Sequence, residues 1–144
     1  MILSNYIRNK LIDFLFRGVS YTPPANLYIA LCKATPTETS TGSTISEISG
    51  GNYQRIAVPS TYNNWLTTQG NIAATSNGTT GRTGNAHPIT WNNITWSDTV
   101  VAVAFCDAST GGDLILFSEL EEDREFELGA NINFDVNALR IVLA

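Results

Sequence analysis

The first apolar register along the chain is helical. Tyr6, Ile7, Leu11, Phe14 and Leu15 fall close to the i, i+4, i+7, i+8 spacing, which predicts a helix over about residues 4–17. Ser4 or Asn5 can accept from the first free N–H groups, Arg17 suits the negative end of the dipole, and Gly18 can take the left-handed conformation that closes a helix. A helix at the end of a β protein is expected either to cover the core or to dock on a partner subunit. Tyr21-Thr22-Pro23-Pro24 stops it, and the period then becomes two. Leu27, Ile29 and Leu31 alternate with Tyr28, Ala30 and Cys32, the pattern of a strand covered on both faces. Gly50-Gly51 introduces a second strand at Tyr53–Val58, with Ile56 and Val58 facing one way and Arg55 and Ala57 the other.

Pro59–Pro88 interrupts this pattern with thirty positions rich in Thr, Asn and Gly, broken by Tyr62, Trp65, Leu66 and Ile72. A loop of that length is usually functional or ordered by a partner. One short strand is expected in it near Gly70–Ala74. From Ile89 the strand signals become dense: Ile89–Trp91 and Ile94–Trp96 around Asn92-Asn93, then Val100–Cys106, Leu114–Phe117, Glu125–Leu128, Ile132–Val136 and Leu139–Leu143. A meander of neighbouring antiparallel strands is the simplest arrangement. Roughly eight short strands and one helix predict an all-β fold, an antiparallel sandwich (jelly-roll-like or a small barrel) with an N-terminal helix. The length of 144 residues suits a single domain, 1–144.

Charged residues make up only 15% of the chain, against a usual ~25%, so Thr, Ser and Asn must form the polar surface. A net charge of −5 with eight Lys plus Arg argues against nucleic acid as a partner. No apolar run reaches the ~18 residues of a membrane span. The start, Met1-Ile2-Leu3-Ser4-Asn5-Tyr6-Ile7-Arg8, lacks the features of a signal peptide, so folding in the cytoplasm is expected. Cys32 and Cys106 both lie in apolar stretches; buried free thiols are favoured over a bridge between neighbouring strands.

Little in the sequence points to catalysis. His87 is the single histidine and sits in the polar excursion, and a nucleophilic site needs a base and a third group brought to it. Three Cys and His residues at unrelated positions do not make a zinc site, so no metal, cofactor or catalytic residue is assigned. Gly78–Gly84 lacks the lysine and following helix of a phosphate loop. The tryptophans Trp65, Trp91 and Trp96 are expected as core pieces with paired N–H groups. Tyr62 and Trp65 are candidate partner contacts, and their polar neighbours leave a carbohydrate-binding module open as an alternative.

The strongest charge feature is Glu119–Glu127. Six carboxylates against Arg124 give it the chain's whole net charge of −5, because the remaining seven acids and seven bases cancel. It is expected as a solvated connection or edge strand, with Leu120 and Phe126 as anchors and the acids outward. Glu121, Glu122 and Asp123 are candidate contacts with a basic partner.

Several stretches also carry a resemblance. Leu3–Arg17 with Gly18, Tyr21-Thr22-Pro23-Pro24, Leu27–Leu31 and Pro36-Thr37-Glu38 come first; Glu47–Val58, with its Ser-Gly-Gly-x-Tyr-x-Arg-x-Ala-Val core, and the turn Asp107-Ala108-Ser109-Thr110-Gly111-Gly112 follow. Their order resembles a family of small virion proteins of tailed bacteriophages, described as tail fibre or structural proteins and similar to head-decorating cement proteins. Neither motif is expected to carry chemistry: the first reads as a glycine turn feeding a strand, the second as a hairpin turn. The resemblance implies a non-enzymatic virion structural protein, foremost a capsid-decorating cement protein and alternatively a tail fibre or tail-tip component. Its implied partners are capsid or tail proteins and further copies of itself, as a dimer or trimer, with the excursion and the helix at the subunit boundaries.

Overall fold

Val100–Cys106 is nearly all apolar because it lies at the centre of a sheet. In the computed structural model, which describes residues 1–143, the chain runs β1 (Ile2–Leu3), α1 (Asn5–Phe16), β2 (Asn26–Cys32), β3 (Ile56–Pro59), β4 (Arg82–Gly84), β5 (Ile89–Trp91), β6 (Asp98–Cys106), β7 (Leu114–Phe126), β8 (Ile132–Phe134) and β9 (Arg140–Val142). Five strands form one antiparallel sheet in the order β1-β7-β6-β2-β3, while β4 pairs with β9 and β5 with β8 as separate ribbons. The fold is all-β and sandwich-like with an N-terminal helix, as the sequence predicts, and β1 and β3 remain open edges of the main sheet.

The alternation in β2 and β6 divides the core. Ile29, Leu31, Val103 and Phe105 pack with Ile89, Trp91, Ile132 and Ile141 of the ribbons and with Ile94, Trp96 and Leu139. Ile29 and Leu31 are fully buried, each worth roughly 1.5–3 kcal/mol relative to exposure. The second cluster is built from small residues, Ala30, Cys32, Ala102, Ala104 and Cys106, with Ile45, Leu114 and Phe117. That shallow surface lets the segment after β2 fold back closely: the Lys33 N–H donates to the Ser46 carbonyl at 2.7 Å and the Ile48 N–H to the Leu31 carbonyl at 2.9 Å, which delivers Ile45 to the cluster.

The helix starts at its predicted cap. Ser4 is extended, its hydroxyl accepts from the Ile7 N–H at 3.3 Å, and it also donates to the Leu114 carbonyl. Gly18, at φ +69°, closes the other end, where the Asp13 carbonyl accepts from the Arg17 and Val19 N–H groups, both at 3.1 Å. Coverage of the core is brief. Ile7 is the one buried residue of the helix, Tyr6 and Leu11 are half-buried, and Phe14 on the same arc is exposed, so the C-terminal half overhangs the sheet.

Three local expectations give way to tertiary contacts. Gly70–Ala74 forms no strand; the Thr67 N–H to Asn71 carbonyl bond (2.8 Å) and the Thr67 hydroxyl to Asn71 Oδ1 bond (2.7 Å) close a turn there, and β4 supplies the excursion's strand instead. Ile94–Trp96 makes no hairpin with β5. Asn93 turns the chain at φ +46°, the Ile94 N–H donates to the Ala130 carbonyl at 3.1 Å, and β5 pairs with the distant β8. Tyr53–Val58 pairs only from Ile56, because Tyr53 and Arg55 turn inward to polar partners.

Candidate functional site

The two glycine-containing motifs meet in space around Arg55, whose side chain is 2% exposed. All five of its N–H groups are used. Nε and Nη2 donate to the two Glu47 carboxylate oxygens, each at 2.9 Å; Nη2 also reaches the Gly42 carbonyl at 2.8 Å, and Nη1 reaches those of Ala108 at 2.7 Å and Gly111 at 2.9 Å. Tyr53 completes the network, donating to Glu47 Oε1 at 2.7 Å and accepting from the Leu31 N–H at 3.0 Å. One guanidinium thus joins the returning segment after β2, the strand entry at β3 and the β6–β7 turn. Burial is the largest single influence and alone would lower the Arg55 pKa, but the Glu47 hydrogen bonds together with the charge interactions of Cys106, Glu47 and Tyr53 outweigh it and hold the guanidinium above its ordinary value. Burial, then the Glu47 contact, pushes the Tyr53 phenol far up.

The glycines here make room. A Cβ at Gly42 would collide with the Gly111 carbonyl, and Gly112, at φ +73°, brings its backbone against Asp107 and Ala108. The sequence gives a faint sign of this node, an arginine two positions from a tyrosine on the same phase of the strand, opposite Ile56 and Val58. A glycine-turn reading alone overlooks it.

Cys32 and Cys106 lie on the same face but four rungs apart, opposite Ala102 and Tyr28, and both are free and buried. Their Cα atoms are therefore beyond disulfide reach. Burial pushes the Cys32 thiol up to about 12, with Glu47 adding to it, and Cys106 up to about 11. His87 is exposed, and its backbone carbonyl accepts from Asn85 Nδ2 at 2.8 Å. Among the described residues no group of three His, Cys, Asp or Glu side chains is placed to hold a metal ion, and no helix is long and apolar enough to cross a membrane.

All of the acidic segment but Glu127 lies within β7, and of the predicted strand at Glu125–Leu128 only Glu125 and Phe126 are strand, as the far end of this 13-residue element, while Glu127 and Leu128 leave it for the turn. Its ladder with β6 jumps from Ala102↔Glu119 to Val100↔Arg124, a step of two on β6 against five on β7. Three extra residues therefore bulge from Leu120–Asp123, with Leu120 packed on the core and Glu121, Glu122 and Asp123 exposed. β1 covers only two rungs of the outer edge, Ile2↔Phe117 and Leu3↔Leu116. The three candidate acids thus share one projecting edge.

The other candidate pair is divided in role. Tyr62 is 56% exposed, while Trp65 is half-buried, donates from Nε1 to the Pro59 carbonyl at 3.1 Å and meets Phe105 edge-on at 6.1 Å. Both line an open groove of about 310 Å³ with Leu27, Leu66 and Ala73. Asn85, 1% exposed, ties the far end of the excursion down: Nδ2 also donates to the Asp135 carbonyl at 2.9 Å, and Oδ1 accepts from the Leu139 N–H at 2.9 Å. Trp91 donates to the Gln54 carbonyl at 2.8 Å. The buried Trp96 Nε1 lacks a hydrogen-bond partner among the described residues, against expectation, and its ring lies edge-on to Tyr53 and Phe126.

Buried polar groups that weld loops together, and charge concentrated on one exposed strand edge, define an all-β structural module. The chain belongs to the family described as podophage GP4 fiber I protein gp80, which matches residues 2–142. It is a bacteriophage virion structural protein of tail-fibre type, with other virion proteins as its neighbours. A search of curated proteins finds no match.

Proposed function

We propose that the protein is a non-enzymatic, homo-oligomeric component of a podophage fibre, assembled in the host cytoplasm, whose acidic β7 edge docks on a basic surface of a neighbouring virion protein. The observation that carries this reading is the bulge, which projects Glu121, Glu122 and Asp123 from a chain whose other charges balance. Such a concentration steers encounter with a basic patch and is partly neutralised on docking. The family description supports the fibre address. Capsid decoration is the second reading, favoured by a sandwich-like fold in place of a repeating stalk. A glycan-binding role would use the Tyr62 and Trp65 groove, and Trp65→Ala would then abolish glycan-array binding.

Cryo-electron microscopy of purified particles tests the address. Density for this fold in the fibre or tail supports the proposal, and copies spread over the icosahedral shell replace it with capsid decoration.

A further inference from the structure

The overhanging half of α1 leaves a large apolar surface uncovered. Ile12, Leu15, Phe16 and Val19 are 51, 64, 81 and 50% exposed; Ile12, Leu15 and Phe16, three and four apart, form one stripe along the helix, and Val19 follows just beyond its closing turn at Gly18. Phe14, on the arc that Ile7 turns to the core, is still 52% exposed. Four large exposed apolar side chains, Ile12, Leu15, Phe16 and Val19, gathered at one helix end have the composition of an interface core. We infer that this stripe packs against the same stripe of a second copy, α1 antiparallel to α1 about a two-fold axis; the inference rests on the oligomeric reading above and names its surface.

Charge selects a second copy. The stripe is flanked by Asp13 and Arg17, paired at 2.9 Å within the chain and 41 and 68% exposed at their side chains. An antiparallel pair centred between Leu15 and Phe16 sets Leu15 against Phe16 and Ile12 against the closing turn of the other copy. It also brings Asp13 of each copy within one residue, about 1.5 Å of axial rise, of level with Arg17 of the other. The rim therefore carries its own counter-charge, as a self-complementary interface requires. With roughly 150–250 Å² in each whole aromatic side chain, Ile12, Leu15, Phe16 and Val19 expose on the order of 400 Å² per copy, or about 800 Å² in a pair, the size of a weak dimer that forms and dissociates readily.

Sedimentation velocity on the full chain tests this, and the expected result is a dimer that dissociates on dilution. Phe16→Glu should weaken association by about tenfold or more with an unchanged circular dichroism spectrum, since the residue lies outside the core. Asp13→Arg and Arg17→Asp chains should each self-associate poorly and recover dimerisation when mixed, because each supplies the charge that the other lacks. An oligomer that survives Phe16→Glu, or mixed charge variants that stay monomeric, overturn the α1 surface and leave oligomerisation standing. A parent chain monomeric to about 200 µM overturns the oligomeric reading as well. Fibre membership is judged separately by the particle map.

Discussion

Arg55→Met keeps most of the side-chain length and removes all five donors, so it tests whether the two sequence motifs are joined by this guanidinium. The substitution leaves the Glu47 carboxylate beside Tyr53 without its cation and strips the Gly42, Ala108 and Gly111 carbonyls of their donor. Removing one partner of a buried ion pair costs about 3–5 kcal/mol. The carbonyl losses do not add fully, because Glu47 keeps 20% side-chain exposure and water can reach part of the gap. Against a total stability of about 5–15 kcal/mol, a loss of about 4 kcal/mol is a large fraction. It corresponds to a fall of roughly 10–20 °C in Tm for a domain of this size. Thermal melts followed by circular dichroism, with urea unfolding as a second probe, measure it directly. Arg55→Lys, with three donors and no planar fork, should fall between the parent and Arg55→Met. A Tm within about 3 °C of the parent for Arg55→Met would refute the account, since the loops would then be held by their own backbone bonds.

Three further outcomes follow from the same geometry. Glu121→Gln, Glu122→Gln and Asp123→Asn together should leave the melting curve unchanged or slightly improved while lowering occupancy on particles, most at low salt where the screening length approaches ~30 Å; full occupancy there would reduce the segment to a solvated edge. Asn85→Leu should cost about 2–4 kcal/mol by orphaning the His87 and Asp135 carbonyls and the Leu139 N–H, and limited proteolysis should then cut between residues 66 and 82; an unaltered digest contradicts that anchoring. Cys32 and Cys106 have folded-state values raised from an ordinary 9.0, so their contribution is complete below about pH 9 and drains away as pH climbs through about 11 and 12. The urea midpoint should therefore decline above pH 9, and replacing both thiols with Ala should lessen the part of the decline that begins near pH 9, before the buried Tyr53 phenol adds its own above pH 10; a midpoint constant to pH 11 would count against burial as the cause.

What could be read from the sequence was local and periodic. Ser4 and Gly18 bounded α1 correctly because capping depends on residues within a turn of each other. The runs at Leu27–Cys32 and Val100–Cys106 became β2 and β6 because continuous apolarity requires two covered faces. Pairing was harder, since β5 finds its partner some forty residues away at β8 and β4 finds β9, and nothing in a two-residue period names a distant partner. Composition located the acidic segment, although its bulge depends on the register of β6. Arg55 was the largest omission. Its partners Glu47 and Gly111 are separated from it by 8 and 56 positions, so only the folded chain assembles them.

The bare outer margin of β7 also bears on how identical chains meet one another. Beyond Phe117 no strand covers it among the described residues, and an uncovered strand can template pairing with an identical neighbour. Two features spoil the template: the three-residue irregularity breaks the regular row of amides, and the carboxylates would stand face to face in an in-register stack of copies. The charge proposed for docking would then also oppose edge-to-edge stacking of identical chains. Neutralising these acids should then allow slow edge-to-edge aggregation in concentrated stocks, even where each molecule melts no earlier than the parent.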